Sequence, residues 1–233
     1  MRWVTSAGLS AWVGAIGGLL AVTAVWVARR ARTRNEPVAV PVGALAAGSG
    51  PVAVDAERAS GFRYGNDAYL VQLRRQGAGT LLVDPMGITD MSPLAEALDG
   101  PEWVLHAATQ DLPCLADLGL RPRSLFDTEL GGRLVGLPRV GLAAVVEHYL
   151  DLTLAKEHSA VDWSTRPLPT DWLVYAALDV EVLVQLRYAM EELLRSQGKL
   201  EWALEEFEAV RTAPPAAPRK GRRPCGRSPG GPA

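Results

Sequence analysis

Only two cysteines occur in the 233 residues, Cys114 in an apolar helical stretch and Cys225 near the end. Neither a disulfide framework nor a thiolate zinc site is therefore supported, and a reducing compartment is the simpler setting. Charge is missing between Arg2 and Arg29, a stretch made mostly of Ala, Val, Leu, Gly and Trp and long enough to span a bilayer as a helix. Arg29, Arg30, Arg32 and Arg34 follow it. That order leaves the downstream part in the cytoplasm by the positive-inside bias and speaks against a cleaved signal peptide, whose basic region precedes a shorter apolar core. Residues 1–36 thus have two readings, a membrane-anchoring apolar helix with its basic flank, or translated sequence from a start site set too early. Acid is missing from residues 211–233, where Arg211, Arg219, Lys220, Arg222, Arg223 and Arg227 stand among prolines and glycines. Such a segment cannot bury enough apolar surface to fold and reads as a disordered tail. There is no internal repeat.

Between these ends, residues 37–210 hold 13 Lys/Arg against 25 Asp/Glu, a net of −12. That length suits one domain with a full hydrophobic core. Val52–Asp55, Ala68–Leu73 and Thr80–Val83 read as strands separated by Gly-bearing turns. Ser92 is placed to cap a helix through Leu98, Trp103–Ala107 reads as a strand, and Thr109 is placed to cap a helix to about Leu118. Ser124–Phe126 reads as a further strand, 141–149 as a helix, and Thr170 to about Gln197 as one long helix. The order predicts an α/β domain with a mixed central sheet flanked by helices, a meander first and crossover helices after.

Three acidic signatures lie in this frame. Asp55 and Glu57 close the first strand, and period-two alternation sends both carboxylates to one side. Asp111 falls at the start of its helix, where a negative side chain is favourable against the helix dipole. Tyr175 and Asp179 are four residues apart and share a helical face. Each signature alone has an ordinary structural reading; their joint order is far more specific. Close carboxylates repel by about 4 kcal/mol per pair at an effective dielectric near 20, so a cluster of them is stabilised by a cation, and an all-oxygen site suits magnesium or manganese.

The chain resembles ribonuclease D, of the DEDDy group of 3′-5′ exonucleases, from about Pro51 to Val210. The likeness includes Asp84-Pro-Met-Gly-Ile-Thr-Asp-Met-Ser-Pro-Leu94, Leu105-His-Ala-Ala-Thr-Gln-Asp-Leu112, Asp162-Trp-Ser-Thr-Arg-Pro-Leu168 and Tyr175-Ala-Ala-Leu-Asp-Val180. It implies a ribonuclease H-like fold, with Asp55, Glu57, Asp111 and Asp179 as the carboxylates of a site for two divalent cations, Mg²⁺ or Mn²⁺. Tyr175 is implied as the fifth catalytic residue, orienting the attacking water. The sister group carries histidine five places before the last aspartate; Val174 stands there, which favours the tyrosine version. His106 stands five residues before Asp111 and reads as a strand-end residue near the cleft. Gln110 occupies a place where many relatives have an acid, and the helical HRDC region that follows the nuclease domain in ribonuclease D has no counterpart before the basic tail.

The implied activity is removal of 5′-mononucleotides from single-stranded RNA 3′ ends, in trimming of transfer RNA precursors or in RNA decay. A DNA exonuclease on the same scaffold and a nucleic-acid-binding module without turnover are the rivals. His106, Lys156, Trp163 and Arg166 are weak candidates for touching substrate by charge or stacking. The basic tail is a candidate for salt-sensitive phosphate attraction.

Overall fold

Alternation along the second strand sets the two faces of the sheet on which everything else is built. The computed structural model describes residues 25–28, 40–59, 62–63, 65–154 and 161–214. Among these, six strands form one sheet in the order β1-β4-β3-β2-β5-β6. Strands β2 (Ser49–Arg58), β3 (Ala68–Gln76) and β4 (Gly79–Val83) are the expected antiparallel meander, each longer than or equal to the run read from sequence. Strands β5 (Trp103–Leu105) and β6 (Leu125–Asp127) extend the sheet in parallel on the far side of β2. Residues 106 and 107 lie beyond β5 because Ala107 turns into the left-handed region at φ 61°.

On one face, Val52, Val54 and Ala56 of β2 join Val71 and Leu73, Leu81 and Val83, and Trp103 and Leu105 in a single buried cluster. Helices α1 (Val40–Ala47) and α2 (Ser92–Leu98) cover it with Val42, Leu45, Leu94 and Leu98. The opposite face carries Ala53, Asp55 and Glu57 of β2 and is covered in two parts. Helix α6 (Thr170–Glu181) lays Leu173, Ala176 and Ala177 on Leu70 and Leu82. Helices α5 (Leu142–Leu150), α7 (Leu183–Ser196) and α8 (Leu200–Thr212) pack on Ala53, Val104 and Phe126. The carboxylates of β2 thus emerge at the seam between two apolar clusters.

Several expectations are corrected. Part of the apolar leader, Val25–Ala28, is a strand, β1, paired in parallel with β4 from Val25↔Thr80 to Ala28↔Val83. Its Val-Trp-Val sequence suits a strand, and β4 offers it an open edge. No helix among the described residues is long and apolar enough to cross a membrane; the rest of residues 1–36 lies outside the described residues. Ser92 begins α2 instead of capping it: its backbone N–H is held by Asp90 Oδ1 at 2.9 Å. Thr109 sits in a short 3-10 turn, Ala108–Gln110, and helix α3 starts only at Leu112 and ends at Asp117. Pro113, which has no N–H to give, suits the first turn and no later place. The long helix predicted from Thr170 is two helices, interrupted at Val182 (φ −94°, ψ −18°), because α6 and α7 serve different clusters on the same face. Helix α8 continues through Thr212, two residues into the segment read as tail, with Arg211 bonded to Glu208 and to Pro122 O. The remaining tail from residue 215 lies outside the described residues.

Candidate active site

Strand β2 carries Asp55 and Glu57 side by side on one face, and α6 crosses that face with Asp179 and, one turn earlier, Tyr175. One carboxylate oxygen each from Asp55, Glu57 and Asp179 lies within 4.8 Å of the others. Tyr175 and Asp179 share a side-chain hydrogen bond, as their i,i+4 spacing permits. Asp111 is outside that tight trio but lines the same cleft, together with Arg58, His106, Tyr175 and the three acids. It occupies the N-cap place of α3 without bonding any backbone N–H there, so its carboxylate is left for the cleft.

The turn that delivers Asp111 has its own anchor. Asp127, at the end of β6 and 2% exposed, accepts from Ala107 N (3.1 Å) and Ala108 N (2.9 Å) on one side and from Glu129 N (2.9 Å) and Leu130 N (3.2 Å) on the other. One carboxylate therefore caps α4 (Thr128–Val135) and pins the left-handed turn after β5. At the other end, buried Glu181 accepts from Arg74 Nη1 at 2.8 Å and from the Thr80 hydroxyl, fastening the end of α6, and with it Asp179, to β3 and β4. A third buried polar group, Gln72 on β3, donates from Nε2 to Glu57 Oε1 at 3.2 Å.

The electrostatics are those of crowded anions. Burial, reinforced by Asp55, Asp179 and Asp111, pushes Glu57 up to about 9. Burial and Asp55 raise Asp111 to about 8, against the pull of Arg58, and raise Asp179 to about 7, against the Tyr175 hydroxyl. Asp55 is also raised, chiefly by burial, and the Tyr175 phenol is held well above its ordinary range by burial and by Asp179. Without positive charge the cluster therefore retains protons at neutral pH. Its donor set is all oxygen and anionic, which fits hard divalent cations and not a soft or thiolate-seeking one.

The weaker candidates divide. His106 lines the cleft and its Nδ1 lies 2.9 Å from Thr128 Oγ1. That hydroxyl also lies 3.1 Å from Leu105 O, the ring has a further hydrogen bond to the Val140 backbone, and burial lowers the imidazole's affinity for a second proton. Trp163 is 1% exposed and stands edge-on to Trp172 in the core under α6, so it offers no face for stacking. Arg166 is committed elsewhere: it grips both oxygens of Asp84 at 2.8 Å and donates to the carbonyls of Trp163, Thr165 and Tyr69. Both are corrections to the substrate-contact reading. Lys156 lies outside the described residues. Val174 is 43% exposed on α6 and touches none of the acids' cleft.

Sequence reasoning missed Arg58, Gln72, Asp127 and Glu181. Two signals were there to be read: a glutamine inside the apolar run Leu70-Val-Gln-Leu73, and Asp127-Thr-Glu ahead of a helical segment, which is a capping pattern.

A family model described as 3′-5′ exonuclease matches residues 39–195. Ribonuclease D of Pseudomonas paraeruginosa is 38% identical over 143 residues, 60% of this chain and 38% of that protein. Among solved structures, a protein from Bifidobacterium adolescentis is similar at a TM-score of 0.72 and 53% identity, over 73% of this chain and 42% of that one. Escherichia coli RNase D, an exoribonuclease involved in structured RNA processing, is similar at 0.66 and 33% identity, over 73% and 46%. The chain spans less than half the length of these relatives.

Proposed function

The chain belongs to the 3′-5′ exonuclease family, and from its similarity to ribonuclease D we propose that it is an exoribonuclease removing 5′-mononucleotides from the 3′ ends of single-stranded RNA, in trimming of precursors or in decay. The observation that carries the reading is the meeting of Asp55, Glu57 and Asp179 within 4.8 Å, with Tyr175 bonded to Asp179 in the same cleft. Asp55, Glu57 and Asp179 would hold one divalent cation and Asp55 with Asp111 a second, magnesium or manganese. Such ions supply a nucleophile from water at neutral pH and stabilise charge on the phosphate and leaving oxygen.

The protein's own residues have separable tasks. The four carboxylates would neutralise and locate the cations, and their partial burial strengthens the charge interactions among them. Tyr175 stays protonated across the working pH range, since its phenol is held above its reference value near 10. It therefore orients the attacking water beside Asp179 by hydrogen bond without ionising, its own proton being shared with Asp179. In the hydrolysis, water oxygen joins phosphorus, the bond to the 3′ oxygen of the penultimate nucleotide breaks, and the terminal nucleotide leaves as a 5′-monophosphate.

The test is a gel assay on 5′-labelled single-stranded RNA and DNA of one sequence, with Mn²⁺ and with EDTA. Metal-dependent single-nucleotide laddering of RNA is expected. Laddering of DNA alone would reassign the substrate, and binding without laddering on either strand would sink the catalytic reading.

A further inference from the structure

Gln72 is an anomaly in its strand. Its neighbours Leu70, Val71 and Leu73 are apolar and fully buried, and Gln72 is itself 0% exposed. Its Oε1 has no hydrogen-bond partner, a state that buried polar atoms in folded proteins seldom tolerate and that asks for an explanation. A methionine or leucine would fill the same space with no stranded oxygen. What the amide does instead is donate from Nε2 to Glu57 Oε1. The register permits this contact: Gln72 lies directly opposite Asp55, and Glu57 is two residues along on the same face, within diagonal reach of a long side chain.

We infer that Gln72 is a positioning residue of the cation site, fixing one oxygen of Glu57 so that the carboxylate is presented to the ions held with Asp55 and Asp179. Glutamate has several soft torsions, and nothing else among the hydrogen bonds of the described side chains restrains this one. A donor behind a ligating carboxylate orients it, and loss of such outer partners lowers metal affinity. Three observations converge on the same residue: the fully buried amide, its unpaired oxygen, and its single bond aimed at Glu57. The inference rests on the proposed function only in taking the carboxylate trio as a cation site.

The test uses the full chain and Gln72→Met, with Gln72→Leu as a second variant. Mn²⁺ affinity is read from free Mn²⁺ by electron paramagnetic resonance, and melting temperature is read in EDTA. The expected result is Mn²⁺ binding weakened roughly ten- to a hundredfold, while melting in EDTA is unchanged or raised because the stranded oxygen is gone. A residue that only stabilised the fold would show the reverse, lower melting with unaltered metal affinity. Equal Mn²⁺ affinity in wild type and Gln72→Met overturns the inference alone, and so does loss of the fold in both variants. Wild-type protein that takes up no Mn²⁺ overturns the cation-site reading along with it.

Discussion

Arg58 stands with Nη2 3.4 Å from Asp111 Oδ1, and the same guanidinium spreads two further long bonds, to Gln110 Oε1 and Asn66 Oδ1, each at 3.4 Å. It is the one arginine or lysine among the described residues lining the cleft, in a domain whose net charge is strongly negative. A cation so loosely held can change partners when a phosphate arrives. Arg58→Met is predicted to weaken binding of a single-stranded RNA oligonucleotide in Ca²⁺ and to lower the salt slope by about 0.7, the contribution of one phosphate contact on a single strand. Fluorescence anisotropy across a salt series measures it. An unchanged slope would show that Arg58 serves Asp111 only.

The crowding of Asp55, Glu57 and Asp179 predicts a trade between stability and chemistry. Asp179→Asn removes one anion from the trio, so the metal-free protein at pH 8 should melt higher, by about 2–4 °C for each kcal/mol of repulsion relieved. Nuclease activity should be abolished. Scanning calorimetry in EDTA beside the laddering assay reads both. A variant that melts lower and still cleaves would contradict the assignment twice.

The pH dependence follows from the same cluster, with the sign fixed by linkage. Glu57, Asp111 and Asp179 are pushed up to about 9, 8 and 7 in the fold, well above the ordinary carboxylate range. The folded state therefore binds more protons than the unfolded chain between about pH 4 and 9, and stability contributed by these groups is lost as pH rises through that window. Melting temperature in EDTA should fall from pH 5 to pH 9, and less steeply in Asp179→Asn. Mn²⁺ should stabilise most at the alkaline end and release protons as it binds. A flat or rising profile in EDTA would show that the acids are already screened.

How much of this was legible in the chain differs by residue. The meander β2–β4 could be read because apolar alternation and glycine turns are local signals, and the shared side of Asp55 and Glu57 needs only the strand period. The pairing of Tyr175 with Asp179 needs only the helical one. Arg166 carries no local sign of its commitment because its partners Asp84 and Tyr69 lie 82 and 97 residues away. The interruption at Val182 left no trace either. A 3.6-residue pattern runs through it, and the contacts of Glu181 with Arg74 and Thr80 at that point are made across 107 and 101 residues of chain.

Tyr175→Phe removes the hydroxyl that bonds Asp179 and leaves the ring in place. Losing one hydrogen bond to a charged group should lower kcat by about ten- to a hundredfold. Because burial and Asp179 hold the phenol above its ordinary range, the wild-type rate should show no alkaline limb from tyrosine ionisation below pH 10. A pH–rate profile of both proteins decides this. An alkaline limb present in wild type and missing from Tyr175→Phe would make the phenolate part of the mechanism.

Asp127 is the residue on which the position of Asp111 hangs, through the amides of Ala107 and Ala108. In Asp127→Asn one of its two oxygens becomes an NH₂ group, so an amide on one side of the clamp must face a donor. Leaving a buried N–H unsatisfied costs about 1–3 kcal/mol, and the melting temperature should drop accordingly. The more telling effect is at a distance: the left-handed turn at Ala107 loosens, Asp111 loses its fixed place at the head of α3, and activity falls even far below the melting temperature. Laddering at 15 °C, with circular dichroism confirming the fold, tests it. Full activity in a destabilised but folded Asp127→Asn would show that Asp111 holds its place without the clamp.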